Sequence, residues 1–298
     1  MKTIRWSPDK GFIDGFDGER ESSNWIDSLP DKATDRLHKF NHAAPREHNL
    51  EDGEFEGPYE DFHENGQLKT KAYKKLKLFD GPYEDFHENG QLKTKANYKL
   101  GILDGICKIF HKNGQLDNAC NYKNGVLNGP YEDFYENGQL FQKTSFKNNE
   151  FDGPYERFYE NGQLKMKANY KLGSFDGPLE DFHENGQLKT KAIYKKDRCD
   201  GLYERFHENG QLKMKANYKL GLFDGICKSF HENGQLKVQA NFKDGEYDGY
   251  YNEYYRSGQL KIKAICKNGR YDGLYERFHE NGKLCTRTNF KDGINQSN

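Results

Sequence analysis

The chain has 298 residues, of which 34% are hydrophobic and 31% are charged, and its formal net charge is −1. A net charge this close to zero excludes a global field that would attract nucleic acid or an anionic membrane. The 20 tyrosines and 21 phenylalanines exclude the aromatic-poor composition of disordered chains. We therefore expect a folded protein whose core consists mainly of aromatic rings.

Residues 1–52 lie outside the repeat described below and contain both tryptophans, Trp6 and Trp25. A short helix is predicted after Pro30, with Asp31 as its N-cap. Because repeat arrays commonly need an atypical end to cover the first unit, we interpret this region as a cap or a docking arm. The N-terminus has no apolar stretch typical of a secretory signal, and no apolar run approaches the ~18 residues of a membrane span. These features predict a cytoplasmic protein.

A period of 24 residues begins at Gly57 and continues through ten units without insertion or deletion. Each unit is numbered here from its first glycine, so that Gly57 occupies position 1. Position 10 is glycine, position 12 is leucine and position 19 is lysine in every unit. With its lead-in, the array covers residues 53–298, and it defines the second domain of the chain.

An Asn-Gly pair at positions 9 and 10 of nine units, replaced by Ser257 and Gly258 in the ninth unit, predicts that each unit forms a β-hairpin. Asn-Gly is the typical sequence of a two-residue type I′ turn, in which both residues need positive φ. Positions 3–7 and 12–19 would then form its strands, and a second turn near position 21 would lead to the next unit. The predicted fold is all-β: an elongated, solenoid-like single antiparallel sheet of ten tandem 24-residue hairpins, preceded by a small irregular or helical segment.

This register makes positions 4 and 15 direct cross-strand neighbours, and their charges agree with it. Glu156 and Lys167 are one of seven opposite-charge pairs at these positions, and where position 4 becomes Lys108 or Lys228, position 15 is uncharged. The alternation of side chains predicts that positions 3, 7, 12, 16 and 18 share the buried face. The phenylalanine at position 6 falls on the charged face, where either a bulge after position 4 turns it inward or lysine stems cover it.

Histidines, cysteines and acidic residues could form a metal site or an active site, but their distribution along the chain is typical of structural residues. Histidine recurs at position 7, but equivalent side chains should stand ~9.5 Å apart, whereas the ligands of one zinc ion lie ~2 Å from it. The six cysteines contain no CxxC pair. The acidic residues recur in almost every unit, whereas an active site places distinct groups once. We predict a non-enzymatic protein without a metal or cofactor.

The repeat resembles the variant MORN repeat, including the chains known as YwqK-type antitoxin components. The resemblance rests on a pattern of the form GxYxxFxxNGQLxxxAxYxxGxxD, as in Gly81, Gly90, Asn89–Leu92, Tyr98 and Gly101. It covers residues 53–298 and departs from the pattern at Lys74 and Lys77 in the first unit. The resemblance implies a twisted hairpin array without catalytic activity, acting as a scaffold or, in some relatives, as a phospholipid binder.

Three functional hypotheses follow. The first is a scaffold or antitoxin-like inhibitor that binds a protein partner; the second is peripheral binding to anionic phospholipid; the third is self-assembly. Nucleic acid is disfavoured, because acidic residues lie beside the basic ones. The candidate surface comprises Trp6, Trp25 and the position-19 lysines Lys75, Lys99, Lys123, Lys147, Lys171, Lys195, Lys219, Lys243, Lys267 and Lys291.

Overall fold

The computed structural model describes residues 56–296, which form one open antiparallel sheet of 25 strands. No helix occurs among these residues. Each strand pairs with its neighbours along the chain, so the ten predicted hairpins follow one another through the sheet. The all-β fold predicted from the repeat is therefore confirmed, and the helix predicted after Pro30 lies outside the described residues.

Each unit contributes two main strands. Four of the connections between units add a two-residue strand, and a fifth such strand follows the last hairpin. The first strands of the units are β1 (Glu56–Phe62), β3 (Leu78–Phe86), β6 (Gly105–Phe110), β8 (Val126–Phe134), β11 (Gly153–Phe158), β14 (Gly177–Phe182), β16 (Arg198–Phe206), β19 (Gly225–Phe230), β21 (Glu246–Tyr254) and β23 (Arg270–Phe278). The second strands are β2 (Leu68–Lys75), β4 (Leu92–Lys99), β7 (Leu116–Lys123), β9 (Leu140–Lys147), β12 (Leu164–Lys171), β15 (Leu188–Lys195), β17 (Leu212–Lys219), β20 (Leu236–Lys243), β22 (Leu260–Lys267) and β24 (Leu284–Lys291). The short strands are β5 (Ile102–Leu103), β10 (Glu150–Phe151), β13 (Ser174–Phe175), β18 (Leu222–Phe223) and β25 (Ile294–Asn295).

The turn inside each hairpin differs from the predicted type I′ turn. In the first unit the Gly66 amide donates to the His63 carbonyl at 2.9 Å, and the His63 amide donates to the Gln67 carbonyl at 2.8 Å. Gly66 has a φ of 81°, whereas Asn65 is not among the residues with positive φ. The loop therefore has three residues, a type I turn followed by a glycine in the left-handed region. The predicted pairing of positions 8 with 11 and 7 with 12 is wrong for this reason.

The type I′ turn lies instead between the units, at positions 20 and 21. Leu100 and Gly101 have φ values of 49° and 78°, and Lys99 pairs with Ile102 across them. Every described inter-unit turn has positive φ at both positions. In the first unit Lys77, in place of glycine, adopts a φ of 64°, so this irregular sequence still forms the turn.

A β-bulge in each hairpin restores the predicted register beyond the loop. In the first unit Phe62 pairs with Leu68 and Asp61 with Thr70, so Lys69 is the extra residue. Glu60 then pairs with Lys71, as the charge pattern predicts. The position-6 phenylalanine thus pairs with the position-12 leucine. The bulge lies after position 5, not after position 4, and it does not turn the ring into the core: Phe62 is 55% exposed, and the rings at position 6 of the other units are half-buried.

The buried face carries a chain of aromatic contacts. Phe146, Phe151, Tyr170 and Phe175 follow one another with ring centroids 4.5, 5.0 and 4.3 Å apart. Such ring pairs contribute stability beyond the area they bury. Positions 3, 16 and 18 supply much of this core, as predicted. Positions 7 and 12 are wrongly assigned to it, because they are mostly half-buried near the hairpin loop.

Position 14 was missed as a core position: Met166 and Val238, for example, are buried there. The bulge and the cross-strand pairing place it beside position 5.

In the middle of the array this part of the core is polar. Asp133 accepts hydrogen bonds from Asn118 Nδ2 at 2.7 Å and from Gln142 Nε2 at 2.6 Å, and the Tyr155 hydroxyl donates to Gln142 Oε1 at 3.0 Å.

Candidate binding surface

The outer face of the sheet carries a ladder of glutamates and lysines at positions 4 and 15. Lys95 Nζ lies 2.9 Å from Glu84 within one hairpin, and Lys143 Nζ lies 2.8 Å from Glu156 in the next unit. The charges of this ladder therefore neutralise one another both within and between units. Exposed pairs of this kind contribute little stability, and they leave little net charge for a ligand.

The ladder is interrupted at two inter-unit junctions, where lysine faces lysine. Lys95 pairs with Lys108, and Lys215 pairs with Lys228. Like charges directly opposite one another destabilise strand pairing. The sequence pattern avoided such pairs within hairpins, and it did not reveal the pairing across junctions.

The predicted lysine column lies at the end of each second strand, directly before the inter-unit turn. Nine of its ten members are exposed, and Lys75 is half-buried. The two end members form ion pairs: Lys75 Nζ lies 3.6 Å from Glu56, and Lys291 Nζ lies 3.2 Å from Asp272. The regular pairing of the strands thus brings these ten lysines to one edge of the sheet. Trp6 and Trp25 lie outside the described residues.

Sequence reasoning missed a set of exposed leucines beside this column. Position 20 is leucine in four units, and these leucines have φ values between 49° and 53°. They are Leu76, Leu100, Leu172 and Leu220. Between 47% and 63% of each is exposed. The available signal was the Lys-Leu pair at a predicted turn, where asparagine or aspartate is expected.

The opposite edge of the sheet, at the hairpin loops, carries two hydrogen-bond ladders between units. Asn65 Nδ2 donates to the Glu88 carbonyl at 2.9 Å, while its Oδ1 accepts from the Gln67 amide at 3.0 Å. The position-7 ring reaches the position-6 carbonyl of the next unit, as in His63 to Phe86 at 2.9 Å. This role explains why either histidine or tyrosine occurs at position 7, since both rings have a hydrogen-bond donor at their far end.

A shallow cavity of about 440 Å³ opens along the same loop edge and is lined by His183, Lys189, Arg205, His207 and Glu232, among others. Lys189 Nζ lies 3.1 Å from Asp181, and the lining contains both signs of charge. In a neighbouring unit, burial and the nearby Arg157 lower the pKa of Lys165. The mixture of charges gives this cavity no evident preference for anions or cations.

Within residues 56–296, no three His, Cys, Asp or Glu side chains are grouped so that they could hold a metal ion. The part of the chain that the structure describes also contains no helix that is long and apolar enough to cross a membrane.

Comparisons with known proteins place this geometry in a family. A search of curated proteins finds no match. Among solved structures, the crystal structure of TcdB2-TccC3-TEV is similar at 10% identity and a TM-score of 0.20, covering 79% of this chain and 16% of that one. The crystal structure of TcdB2-TccC3-Cdc42 is similar at 9% identity and a TM-score of 0.14, covering 78% and 16%. The chain thus spans about a sixth of the length of these structures.

The family described as "MORN repeat variant" matches ten consecutive segments of the chain. The matched residues are 55–73, 79–100, 103–124, 127–148, 151–172, 175–196, 200–220, 223–244, 247–268 and 271–292. These segments follow the hairpins of the sheet, one segment to each unit. The chain therefore belongs to the MORN repeat variant family.

Proposed function

We propose that this protein is a non-catalytic scaffold whose outer face binds a protein partner. The observation that carries the proposal is the exposed lysine column, which repeats one chemical group at one place in each unit. The inner face is filled by buried rings and small side chains that pack the units together. Binding therefore falls to the outer face and to the edges of the sheet.

The lysine column is better suited to a partner than the Glu–Lys ladder is. The ladder already pairs its charges, whereas the column presents ammonium groups at the exposed end of each second strand. Successive units place these groups ~9.5 Å apart, at two strand spacings. A protein with a row of carboxylates would meet several lysines at once, and the combined contacts would strengthen binding.

The test is quantitative capture with matched charge variants of the full chain. One variant carries Lys99→Glu, Lys123→Glu and Lys147→Glu in the column. The control reverses three exposed glutamates at the hairpin loops, Glu64, Glu88 and Glu136, to lysine. A partner that is captured stoichiometrically by the wild type and the control, and lost by the column variant, would support the proposal. Equal capture by all three proteins would remove the column from the binding surface.

A second candidate function is peripheral binding to anionic phospholipid, which the exposed column also favours. The net charge of −1 and the carboxylates of the outer face oppose it. Sedimentation with vesicles containing phosphatidylserine at low salt is the test. Absence of binding there would eliminate this candidate.

Self-assembly through the last strands is less supported. Asn295 occupies the position-23 site, which is aromatic in most units, and the Thr288 hydroxyl donates to its Oδ1 at 2.6 Å. A polar side chain there discourages the addition of another apolar unit. Antitoxin-like inhibition would be one form of the scaffold function, and the identity of a captured partner would reveal it.

A further inference from the structure

Two adjacent inter-unit turns form an exposed apolar ledge, which consists of Leu76, Leu78, Leu100 and Ile102. Between 47% and 53% of each residue is exposed. An ideal Cβ at Gly101 would lie 3.3 Å from Leu78 Cδ2, so this side chain packs against the following turn. The Gly101 amide donates to the Phe79 carbonyl at 2.7 Å, and the Leu100 amide donates to Asp80 Oδ1 at 3.1 Å. The two turns are thus held together as one surface.

The ledge is unfavourable for the protein in two separate ways. Leu76 and Leu100 have φ values of 50° and 49°, a conformation that costs free energy for L-residues other than asparagine and aspartate. They also leave apolar surface in water. The same turn position is occupied elsewhere by Asn124, Asn148 and Asp244, so the fold accepts residues without either cost. Strained, exposed residues that the fold does not require are expected at binding sites.

The charges around the ledge select the partner. Lys99 and Lys123 are exposed beside it. The two nearby carboxylates already accept hydrogen bonds from backbone amides: Asp80 accepts one from Leu100, and Asp104 Oδ1 accepts one from Asn124 at 3.2 Å. A shallow cavity of about 190 Å³ lies between Lys99, Leu100, Ile102, Asp104 and Asn124. An apolar side chain could enter this cavity while a carboxylate beside it meets a lysine.

We propose that the ledge is a docking site for a protein segment that carries apolar side chains flanked by aspartate or glutamate. This inference rests on the proposed scaffold function and locates one of its contacts. A bilayer fits the ledge less well, because the next two turns along the edge carry Asn124 and Asn148 at position 20. A flat membrane would therefore meet polar turns directly beside the leucines.

The experiment uses a random twelve-residue peptide library displayed on phage and selected on the full-length protein. The synthetic form of the selected peptide then serves as the probe in fluorescence anisotropy. The test variant is Leu76→Asn with Leu100→Asn, and the matched control is Leu172→Asn with Leu220→Asn. Both variants make the same change at the same turn position, and only the first alters the ledge.

We expect acidic, apolar peptides to be enriched, and the test variant to weaken their binding at least about tenfold while the control does not. Peptides of another composition, or equal binding by both variants, would overturn the inference. Binding of phosphatidylserine vesicles that depends on Leu76 and Leu100 would overturn it in favour of lipid. If the partner captured in the test of the scaffold function is lost by the column variant but kept by the Leu76→Asn, Leu100→Asn variant, the ledge fails and the scaffold function stands.

Discussion

His63 Nε2 lies 2.9 Å from the backbone carbonyl oxygen of Phe86, which is 23 residues further along the chain. The tyrosines at the same position make the equivalent bond through their hydroxyl groups, as in Tyr159 to Phe182 at 2.8 Å. A carbonyl oxygen only accepts, so the histidine must carry its proton on Nε2. In eight units position 7 therefore ties the loop to the next unit through a side-chain donor, and it need not bind a ligand. His111 is an exception, since its Nε2 is buried without a hydrogen-bond partner.

The first prediction concerns this bond at His87, whose Nε2 lies 3.0 Å from the Phe110 carbonyl oxygen. His87→Tyr should leave stability nearly unchanged, whereas His87→Phe should cost about 1 kcal/mol, because the carbonyl loses its donor. Urea unfolding followed by circular dichroism measures both. His279→Phe is the control, since no further unit follows it within residues 56–296. Equal effects of phenylalanine at both positions would contradict the assignment.

The repeat and the pairing of positions 4 and 15 could be predicted because charges such as Glu156 and Lys167 record which residues face each other. The conformation of the hairpin loop could not be predicted, because Asn-Gly is compatible both with a type I′ turn and with a type I turn followed by a left-handed glycine. The three-residue loop shifts the pairing by one residue, and the bulge at Lys69 shifts it back. These two shifts cancel. The predicted register is therefore right beyond the bulge and wrong between the bulge and the hairpin loop.

For the candidate surface, the lysine column could be read from position 19, since the last residue of a strand before a turn is usually exposed. The ledge could not be predicted in the same way. Leucine is an apolar residue that disfavours positive φ, so local preferences argue against placing Leu100 in a type I′ turn. The strand pairing on either side imposes that turn, as Lys99 pairs with Ile102. The tertiary structure here overrides the local preference of the residue.

The second prediction follows from the strain at these turns. Leu220 has a φ of 53° and is 63% exposed, so Leu220→Asn should stabilise the protein by about 1 kcal/mol. The reverse change at an equivalent turn, Asn124→Leu, should destabilise it by a similar amount. Thermal unfolding of the two variants beside the wild type measures both signs. A loss of stability in Leu220→Asn would show that the leucine makes contacts that outweigh its backbone strain.

The third prediction concerns the buried polar core. Gln142 donates to the carboxylate of Asp133 and accepts from the Tyr155 hydroxyl. Gln142→Met would remove both bonds from buried groups and should cost about 2–3 kcal/mol. Methionine fits this position in principle, because Met166 occupies it in the next unit. As a volume-conserving control, Met166→Leu should cost less than about 1.5 kcal/mol. Denaturant unfolding would contradict the network if both variants lose the same stability.

The fourth prediction concerns two buried thiols. Cys107 and Cys120 are direct cross-strand partners, with 2% and 5% exposure. Direct partners in antiparallel strands have Cα atoms about 4.5–5.5 Å apart, a spacing that a disulfide can bridge. Diamide, which accepts two electrons and two protons, should join them with the loss of two hydrogens.

Peptide mapping after alkylation identifies this cross-link. Cys227 is the matched control, because the partner at its equivalent site is Ala240, so its thiol should be recovered alkylated after denaturation. Recovery of Cys107 and Cys120 as free thiols after prolonged oxidation would show that the strand geometry does not allow the bond.

The fifth prediction is a loss of stability in alkali. Burial raises the pKa of Tyr98 and Tyr155 to about 12, whereas phenols in the unfolded chain ionise near pH 10. Their contribution to stability is therefore complete below about pH 10 and is lost as the pH rises towards 12, because only the unfolded state releases the proton in that window. Absorbance at 295 nm and circular dichroism, followed together, should show ionisation of the buried tyrosines coinciding with unfolding.

Tyr98→Phe should move the midpoint of alkaline unfolding to higher pH, because it removes one buried phenol. The ring should still fit, since Phe146 and Phe242 fill the same position in other units. Reversible titration of every tyrosine near pH 10 in a folded protein would contradict the burial of these rings.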